Sequence, residues 1–310
     1  MLEVQPQLWQ HITQHSQHFV SLLRALVQRG AQGEAGIQEF VADTLNQLGC
    51  TVESHGYSPQ KLNIPYEISS DKVDAKARIN VLGRYAGTGQ GQSLLFFAHP
   101  DSEPVQDTVA WNYDPFAAEI ENGKLYGWGV ADDLVGVALM MAGLEAVLHA
   151  GYTPCGDIIL ASTPSKQRAQ GIIAALDAGY HADAAIYLHP AESGAGLEEI
   201  KAITSGMLKF VITVEGRPPR TEEPTHTPFY HQGIDPLDKA LVVYQYLRSW
   251  AEQRTQTIHY APLEHKVGRS SNLLISHLGY GQLETMTRMS KHCVMSGSIT
   301  FPPTEALAKV

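Results

Sequence analysis

Residues 94–136 constrain the fold most, because they join an apolar run directly to side chains that bind metals. The run Leu94–Ala98 leads into the tripeptide His-Pro-Asp at positions 99–101, which indicates a buried strand that ends in a His-x-Asp pair. An imidazole can bind a metal through one ring nitrogen while a carboxylate two residues later holds the other N–H and fixes the tautomer. A second acid, Asp132, follows a glycine-rich turn at the start of an apolar helix. The segment therefore predicts a metal site at the end of a strand.

Strands alternate with helices through residues 1–205, which predicts an α/β fold with a largely parallel sheet flanked by helices. Hydrophobic periodicity and glycine stops give the individual elements. The predicted strands are 50–53, 79–85, 94–98, 157–162 and 184–188, and the predicted helices are 9–29, 36–48, 134–150 and 172–177.

The pattern of predicted elements changes after Ser205, and we place a domain boundary there. The next predicted elements are an alternating strand at 207–214, a loop rich in Pro, Thr and His, an amphipathic helix at 234–251 and strands at 271–277 and 293–300. This β-α-β-β order predicts a smaller α+β module at 206–310.

Composition narrows the function classes. The 310 residues are 44% hydrophobic and carry a formal net charge of −10, so we expect no nucleic-acid or membrane partner. The three cysteines are odd in number and widely spaced, which fits a reducing compartment. No secretory signal or membrane-spanning run is evident, and the cytoplasm is therefore the expected location.

The order of these motifs resembles the M20 family of metallopeptidases and deacylases, which includes acetylornithine deacetylase-like and carboxypeptidase-like enzymes. The resemblance rests on the His-x-Asp pair, Trp111, Asp114-Pro115-Phe116 and the Gly-x-Gly-x-x-Asp-Asp sequence that ends at Asp133. It implies a zinc-exopeptidase-like catalytic domain at 1–205 and an incomplete lid and dimerisation domain at 206–310. It also implies a further lid helix and strand, and a return to the catalytic domain, beyond Val310.

The resemblance also implies a set of metal ligands. Sites in this family hold two metals bridged by an aspartate, and the ligands of the first metal correspond here to His99, Asp132 and His189. A strand-end histidine without a metal is the alternative for His189. The second metal needs a Glu-Glu pair, but Lys166 and Gln167 stand at those positions. We therefore expect one zinc or cobalt ion rather than two, with Asp101 as the catalytic residue that orients His99.

The general base is left open, because Lys166 replaces the expected glutamate. Asp133 and Glu192 are the alternatives close to metal positions. His226 and His231 are candidates for the lid histidine that some family members use, against the alternative that both are solvated surface residues. Many family members carry an arginine just before the proline of the last central strand of the lid, where it binds a substrate carboxylate; the corresponding stretch here, Ser298-Ile299-Thr300-Phe301-Pro302, lacks it.

Two functions remain open at this point. The first is a metal-dependent hydrolase of the M20 type that cleaves an amide bond in a small N-acyl amino acid or peptide, with an impaired one-metal site and a homodimer formed through the lid. The second is a catalytically inactive M20-like protein, or a truncated remnant, that acts by binding. A shortened reading frame is a third explanation for the incomplete lid.

Overall fold

The fold is taken from a computed structural model, which describes residues 6–62, 76–105, 111–165, 169–190 and 200–310. The chain divides into two compact units, Met1–Glu199 and Ile200–Val310. We call them the first unit and the second unit. Their roles as catalytic and lid domains stay predictions.

The first unit is built on a five-stranded sheet in the order β1-β2-β6-β3-β7. Helices lie against it, which confirms the α/β class. The strands are β1 (Thr51–Tyr57), β2 (Arg78–Tyr85), β3 (Leu94–Ala98), β6 (Ile158–Ser162) and β7 (Ala184–Tyr187), and a separate hairpin is formed by β4 (Glu119–Glu121) and β5 (Lys124–Tyr126).

The sheet is mixed rather than largely parallel. β3 pairs in parallel with β6 and β7, whereas β2 pairs antiparallel with β1 and β6. A parallel return needs a crossover of a dozen or more residues, and only the eight residues 86–93 connect β2 to β3. The chain therefore reverses direction between these two strands, which flank β6.

Helices cover the sheet on both faces. The helices of the first unit are α1 (Pro6–Gln14), α2 (Ser16–Arg29), α3 (Glu34–Gln47), α4 (Val135–His149) and α5 (Gln170–Asp177). Of these, α3, α4 and α5 pack against the sheet, and α1 and α2 pack on other helices. One core contains Leu26, Val41, Val137, Met141 and Leu160. The other contains Leu82, Leu95, Ile159, Ala161 and Ala175. Alternate residues of β6 thus face opposite cores, as the period of two along a strand requires.

Helix 9–29 was expected to be continuous, but the structure divides it at His15. This residue has φ −109° and ψ 16°, outside helical geometry. α1 contributes no buried residue to the core, so packing does not hold it in line with α2.

The second unit is a three-stranded antiparallel sheet in the order β8-β10-β9. Its elements are β8 (Gly206–Glu215), α6 (Pro236–Thr257), α7 (Ala261–Val267), β9 (Asn272–Tyr280) and β10 (His292–Phe301). α6 packs on one face around Ala240, Cys293 and Met295. The described chain ends with a single 3₁₀ turn at Leu307–Lys309. Within the described part of the chain, none of the helices has the length and apolar character needed to cross a bilayer.

Candidate metal centre

Two histidines stand at the ends of neighbouring parallel strands. His99 directly follows β3, and His189 follows β7 after one intervening residue. Parallel strands present their carboxyl ends at the same edge of a sheet, which is the usual place for ligands in α/β folds. The two imidazole rings consequently face each other with centroids 5.8 Å apart and planes inclined by 22°.

Asp132 reaches the same edge from the wide turn Val130–Leu134 that leads into α4. Gly136, in the first turn of α4, allows this approach. A Cβ atom at Gly136 would lie 1.9 Å from the backbone oxygen of Leu188 and 2.5 Å from Asp133 Oδ1, far inside van der Waals contact. The missing side chain therefore lets the start of α4 lie directly against the end of β7, next to His189.

The three side chains converge on one point. His99 Nε2 lies 2.9 Å from Asp132 Oδ1, and His189 Nε2 lies 3.0 Å from the same oxygen. One ligand atom from each residue lies within 4.8 Å of the other two. Among the residues that the structure describes, this is the one group of three or more His, Cys, Asp or Glu side chains that meets that distance. The structure thus brings together the three metal ligands predicted from the sequence.

The hydrogen bonds of the two rings suit a cation at this point. The Nδ1 atoms of His99 and His189 lie 3.0 Å and 2.9 Å from the backbone oxygens of Asp101 and Pro190, so each Nδ1 carries the proton in the neutral ring. Both Nε2 lone pairs then point at a carboxylate oxygen. His99 Nε2 is buried and makes no well-formed hydrogen bond with a described residue. Two imidazole nitrogens and one carboxylate oxygen are a donor set that zinc prefers.

Asp101 links His99 to the surrounding structure. The nearest acceptor for His99 Nδ1 is the backbone oxygen of Asp101, whereas the carboxylate oxygen Oδ1 lies 3.6 Å away. This carboxylate accepts a hydrogen bond from the Ser165 amide at 2.9 Å and lies 3.7 Å from Arg78 Nη1. Arg78 in turn contacts Glu34 Oε2 at 2.6 Å. The backbone thus fixes the His99 tautomer, and the carboxylate supplies charge nearby.

Burial and charge act against each other at these groups. Burial disfavours the imidazolium form of His99, but the acidic groups of Asp101 and Asp133 outweigh it and raise the pKa of His99. Burial alone would raise the pKa of Asp101, yet His99, Arg78 and the Ser165 amide lower it. Asp101 is therefore ionised at neutral pH, as a carboxylate that supports a metal-binding histidine must be.

Asp133, the residue after Asp132, is not one of the three converging side chains. It is completely buried, and its Oδ2 accepts a hydrogen bond from the His99 amide at 3.3 Å. Burial raises the pKa of Asp133. Asp133 therefore anchors the end of β3, and its complete burial argues against Asp133 as the general base.

A cleft of about 1090 Å³ in the first unit opens onto the site, and His99, Asp101 and Asp132 line it. Three aromatic residues form part of its wall: Trp111, Phe116 and Trp128. The indole of Trp128 donates a hydrogen bond to the backbone oxygen of Glu103 at 2.7 Å. The ring centroids of Trp111 and Trp128 lie 5.5 Å apart. The cleft is large enough for a small-molecule or dipeptide substrate.

Of the remaining predicted residues, those that the structure describes are not part of this cluster. Lys166, Gln167 and Glu192 lie outside the described residues. His226 and His231 lie in the second unit, where His226 Nδ1 accepts a hydrogen bond from the Met289 amide at 3.1 Å and His231 is exposed. Sequence reasoning missed Arg78 and the packing role of Gly136, because each depends on a contact with a distant segment.

The model of peptidase family M20/M25/M40 matches residues 95–249, half of the chain. A succinyl-diaminopimelate desuccinylase from Rhodospirillum centenum is 30% identical over 205 residues, which cover 64% of this chain and 49% of the relative. An N-formyl-4-amino-5-aminomethyl-2-methylpyrimidine deformylase from Bacillus subtilis is 27% identical over 187 residues, covering 58% and 40%. The chain spans about half the length, or less, of these curated relatives.

The fold also resembles that of solved structures from the same family. An M20 family metallo-carboxypeptidase from Sulfolobus solfataricus superposes with a TM-score of 0.61 at 14% sequence identity, and the match covers 94% of this chain and 72% of that one. At this identity the likeness concerns the fold alone.

Proposed function

Because the chain belongs to peptidase family M20/M25/M40, we propose that it is a metal-dependent hydrolase that cleaves the amide bond of a small N-acyl amino acid or peptide. The observation that carries this proposal is the convergence of His99, Asp132 and His189 at the edge of a wide cleft. The names of the two curated relatives, a desuccinylase and a deformylase, support an acyl–nitrogen bond as the target.

The proposed site holds one zinc or cobalt ion through His99, Asp132 and His189. Three protein ligands leave a fourth position for water or substrate, as catalytic zinc sites require. When bound, the ion would polarise the scissile carbonyl and lower the pKa of a water molecule. Asp101 would act through His99, because its backbone oxygen holds the imidazole in one orientation and its carboxylate places a negative charge beside the ring. Trp111 and Trp128 would exclude water from the apolar part of the substrate.

The weak point of this site is the general base. A base must reach the proton that it removes, and Asp133 is completely buried. Lys166 and Gln167 occupy the positions of the family's Glu-Glu pair, and a lysine is a poor base unless burial lowers its pKa by several units. We propose that activity is impaired. The sequence at 166–167 also favours a second candidate, an inactive protein that retains the pocket for binding.

We propose that the first unit is the catalytic domain and that the second unit is the lid, through which the protein forms a homodimer. The cytoplasm is the proposed location. Cys50, Cys155 and Cys293 are all unpaired, and only Cys155 is exposed, which suits a reducing compartment.

Metal stoichiometry is the direct test of the site. Native mass spectrometry after exposure to zinc and desalting should show one zinc per chain. His99→Ala should lose this zinc, whereas His181→Ala, which removes an exposed histidine of the same unit, should retain it. Two zinc ions would overturn the one-metal site, and no zinc in the unaltered protein would overturn the metal centre itself.

Hydrolysis of a panel of N-acyl amino acids and dipeptides by the zinc-loaded protein then separates the two functions. Activity in the unaltered chain would exclude the inactive candidate. Activity that appears only in the Lys166→Glu, Gln167→Glu double variant would identify a degenerate enzyme. If zinc binds and neither protein is active, the binding function is favoured.

A further inference from the structure

The second unit contains a small cavity between α6 and the start of β9. Its volume is about 140 Å³, close to that of a cavity that holds one benzene molecule. Three guanidinium groups line it, those of Arg248, Arg254 and Arg269, together with one carboxylate, that of Glu252. The lining therefore carries an excess of positive charge in a chain whose formal net charge is −10.

One of these arginines is a fixed part of the wall. Arg254 is 7% exposed, and its two terminal nitrogens contact the two carboxylate oxygens of Glu305 at 2.9 and 2.6 Å. Its Nε donates to Ser271 Oγ at 3.2 Å, and its Cζ lies 4.9 Å from the ring centroid of Trp250. The paired Arg254 stiffens the cavity without leaving a free charge of its own.

The other two arginines have no such partner. Arg248 and Arg269 are exposed, and their guanidinium groups make no ion pair or hydrogen bond with any described residue. Glu252 follows Arg248 by four residues on α6, a spacing at which helical ion pairs commonly form, yet no such pair is present. Two guanidinium groups that border one cavity therefore remain available to an outside anion.

The chemistry of the lining selects the kind of ligand. Guanidinium groups bind carboxylates through two parallel N–H···O bonds, and they repel cations. The indole of Trp250 offers a flat apolar surface beside them. The volume limits the ligand to about the size of one aromatic ring. We propose that this cavity binds a small planar organic carboxylate, gripped by Arg248 and Arg269, at a site within the second unit.

Benzoate is a suitable probe because its ring matches the volume of the cavity. The chain has four tryptophans, and the Trp250→Phe variant identifies the Trp250 indole N–H signal in a ¹H–¹⁵N spectrum. Benzoate should shift this signal progressively, and added salt should weaken the effect because it screens exposed charges. Benzamide, which has the same shape without the charge, should leave the signal in place. The titration is repeated in His99→Ala, so that a carboxylate bound at the metal centre does not contribute.

Variants of the cavity lining test how much each charged side chain contributes to benzoate binding. Arg248→Ala and Arg269→Ala should each weaken benzoate binding by about tenfold, the loss expected for one charge-assisted hydrogen-bonding group. Glu252→Gln removes the opposing carboxylate and should strengthen binding. Arg220→Ala is the matched control, since Arg220 is an exposed arginine of the same unit that does not line the cavity.

Several outcomes would overturn the proposal. Equal shifts with benzamide and benzoate would indicate an apolar slot, and equal affinity for inorganic phosphate would indicate an unselective anion site. An unchanged Trp250 signal would exclude binding. The arginine variants could lose benzoate binding merely because they misfold. Glu252→Gln keeps the proposal testable in that case, because a misfolded cavity would not bind benzoate more tightly.

Discussion

The proposed metal centre depends on the close contact between Gly136 and the end of β7, which the absence of a side chain at position 136 allows. A side chain at this position would collide with the Leu188 backbone oxygen, and the collision would separate α4 from β7. Asp132 and His189 belong to these two elements, so their distance would grow. The sequence showed a glycine at the start of an apolar helix, but its contact lies 52 residues away along the chain and could not be predicted from local pattern.

We expect Gly136→Ala to weaken zinc binding by roughly 10- to 100-fold, the range seen when the support of metal ligands is disturbed. Gly143→Ala is the matched control on the same helix, since a Cβ at Gly143 meets nothing within 4 Å. It should stabilise the protein by about 0.5–1 kcal/mol through helix propensity and leave zinc affinity unchanged. Competition titrations with a zinc chelator measure both effects, and equal zinc affinity in the two variants would contradict the role of Gly136.

Asp157 provides a pH-dependent contribution to stability. Its carboxylate accepts hydrogen bonds from the Arg84 side chain and, at 2.9 Å, from the Gly87 amide. These two contacts, the Arg84 bond first, lower the pKa of Asp157 in the folded protein. A carboxyl group with a lowered folded-state pKa stabilises the protein above its unfolded-state pKa of about 3.9, and that stabilisation disappears as the pH falls through the lowered value.

Asp157→Asn should therefore be less stable than the unaltered protein at pH 7, and the difference should close at strongly acidic pH. Urea unfolding at a series of pH values measures it. Asp177→Asn removes an exposed aspartate without these contacts and serves as the control. A difference that stays constant down to the lowest pH would mean that the carboxylate charge plays no part.

At the scale of elements, β3, β6 and β7 could be predicted because each is a short apolar run with a clear end. The predicted and observed bounds of β3 coincide, and His99 and His189 were placed correctly at strand ends. The antiparallel half of the sheet, the β4–β5 hairpin and α7 could not be predicted. Each is short or depends on pairing with a distant strand, and local hydrophobic period carries no information on such pairing.

β7 is the element whose exposure has the clearest consequence. Among the described residues it pairs only with β3, and Ile186 and Tyr187 are 43% and 42% exposed. An apolar edge strand is a template for pairing with other chains. We expect the protein to self-associate through this edge at high concentration.

Ile186→Lys should reduce self-association, because a charge at a strand edge opposes pairing. Light scattering over a concentration series measures it. Ile200→Lys makes the same exchange at an exposed isoleucine outside any strand, and it should have a smaller effect. Equal improvement in both variants would point to net charge rather than to the edge.

At the scale of the whole molecule, the two units have separate hydrophobic cores, and the three proposed metal ligands lie in the first unit. A ligand that binds only the folded state stabilises it by about 2.7 kcal/mol at a free concentration of 100 times its Kd. We expect two thermal transitions in differential scanning calorimetry, and zinc should raise the midpoint temperature of one of them, that of the first unit. His99→Ala should abolish that rise, and a single transition displaced as a whole would show that the units unfold together.

The position of Cys155 gives the molecule a natural attachment point. It is the exposed member of three unpaired cysteines, and it precedes β6. β6 runs parallel to β3, so its beginning lies at the edge of the sheet opposite His99. A maleimide dye or a surface linker would therefore modify one residue of the native protein and leave the metal centre facing away from the label, ready for fluorescence or immobilised binding measurements without any engineered cysteine.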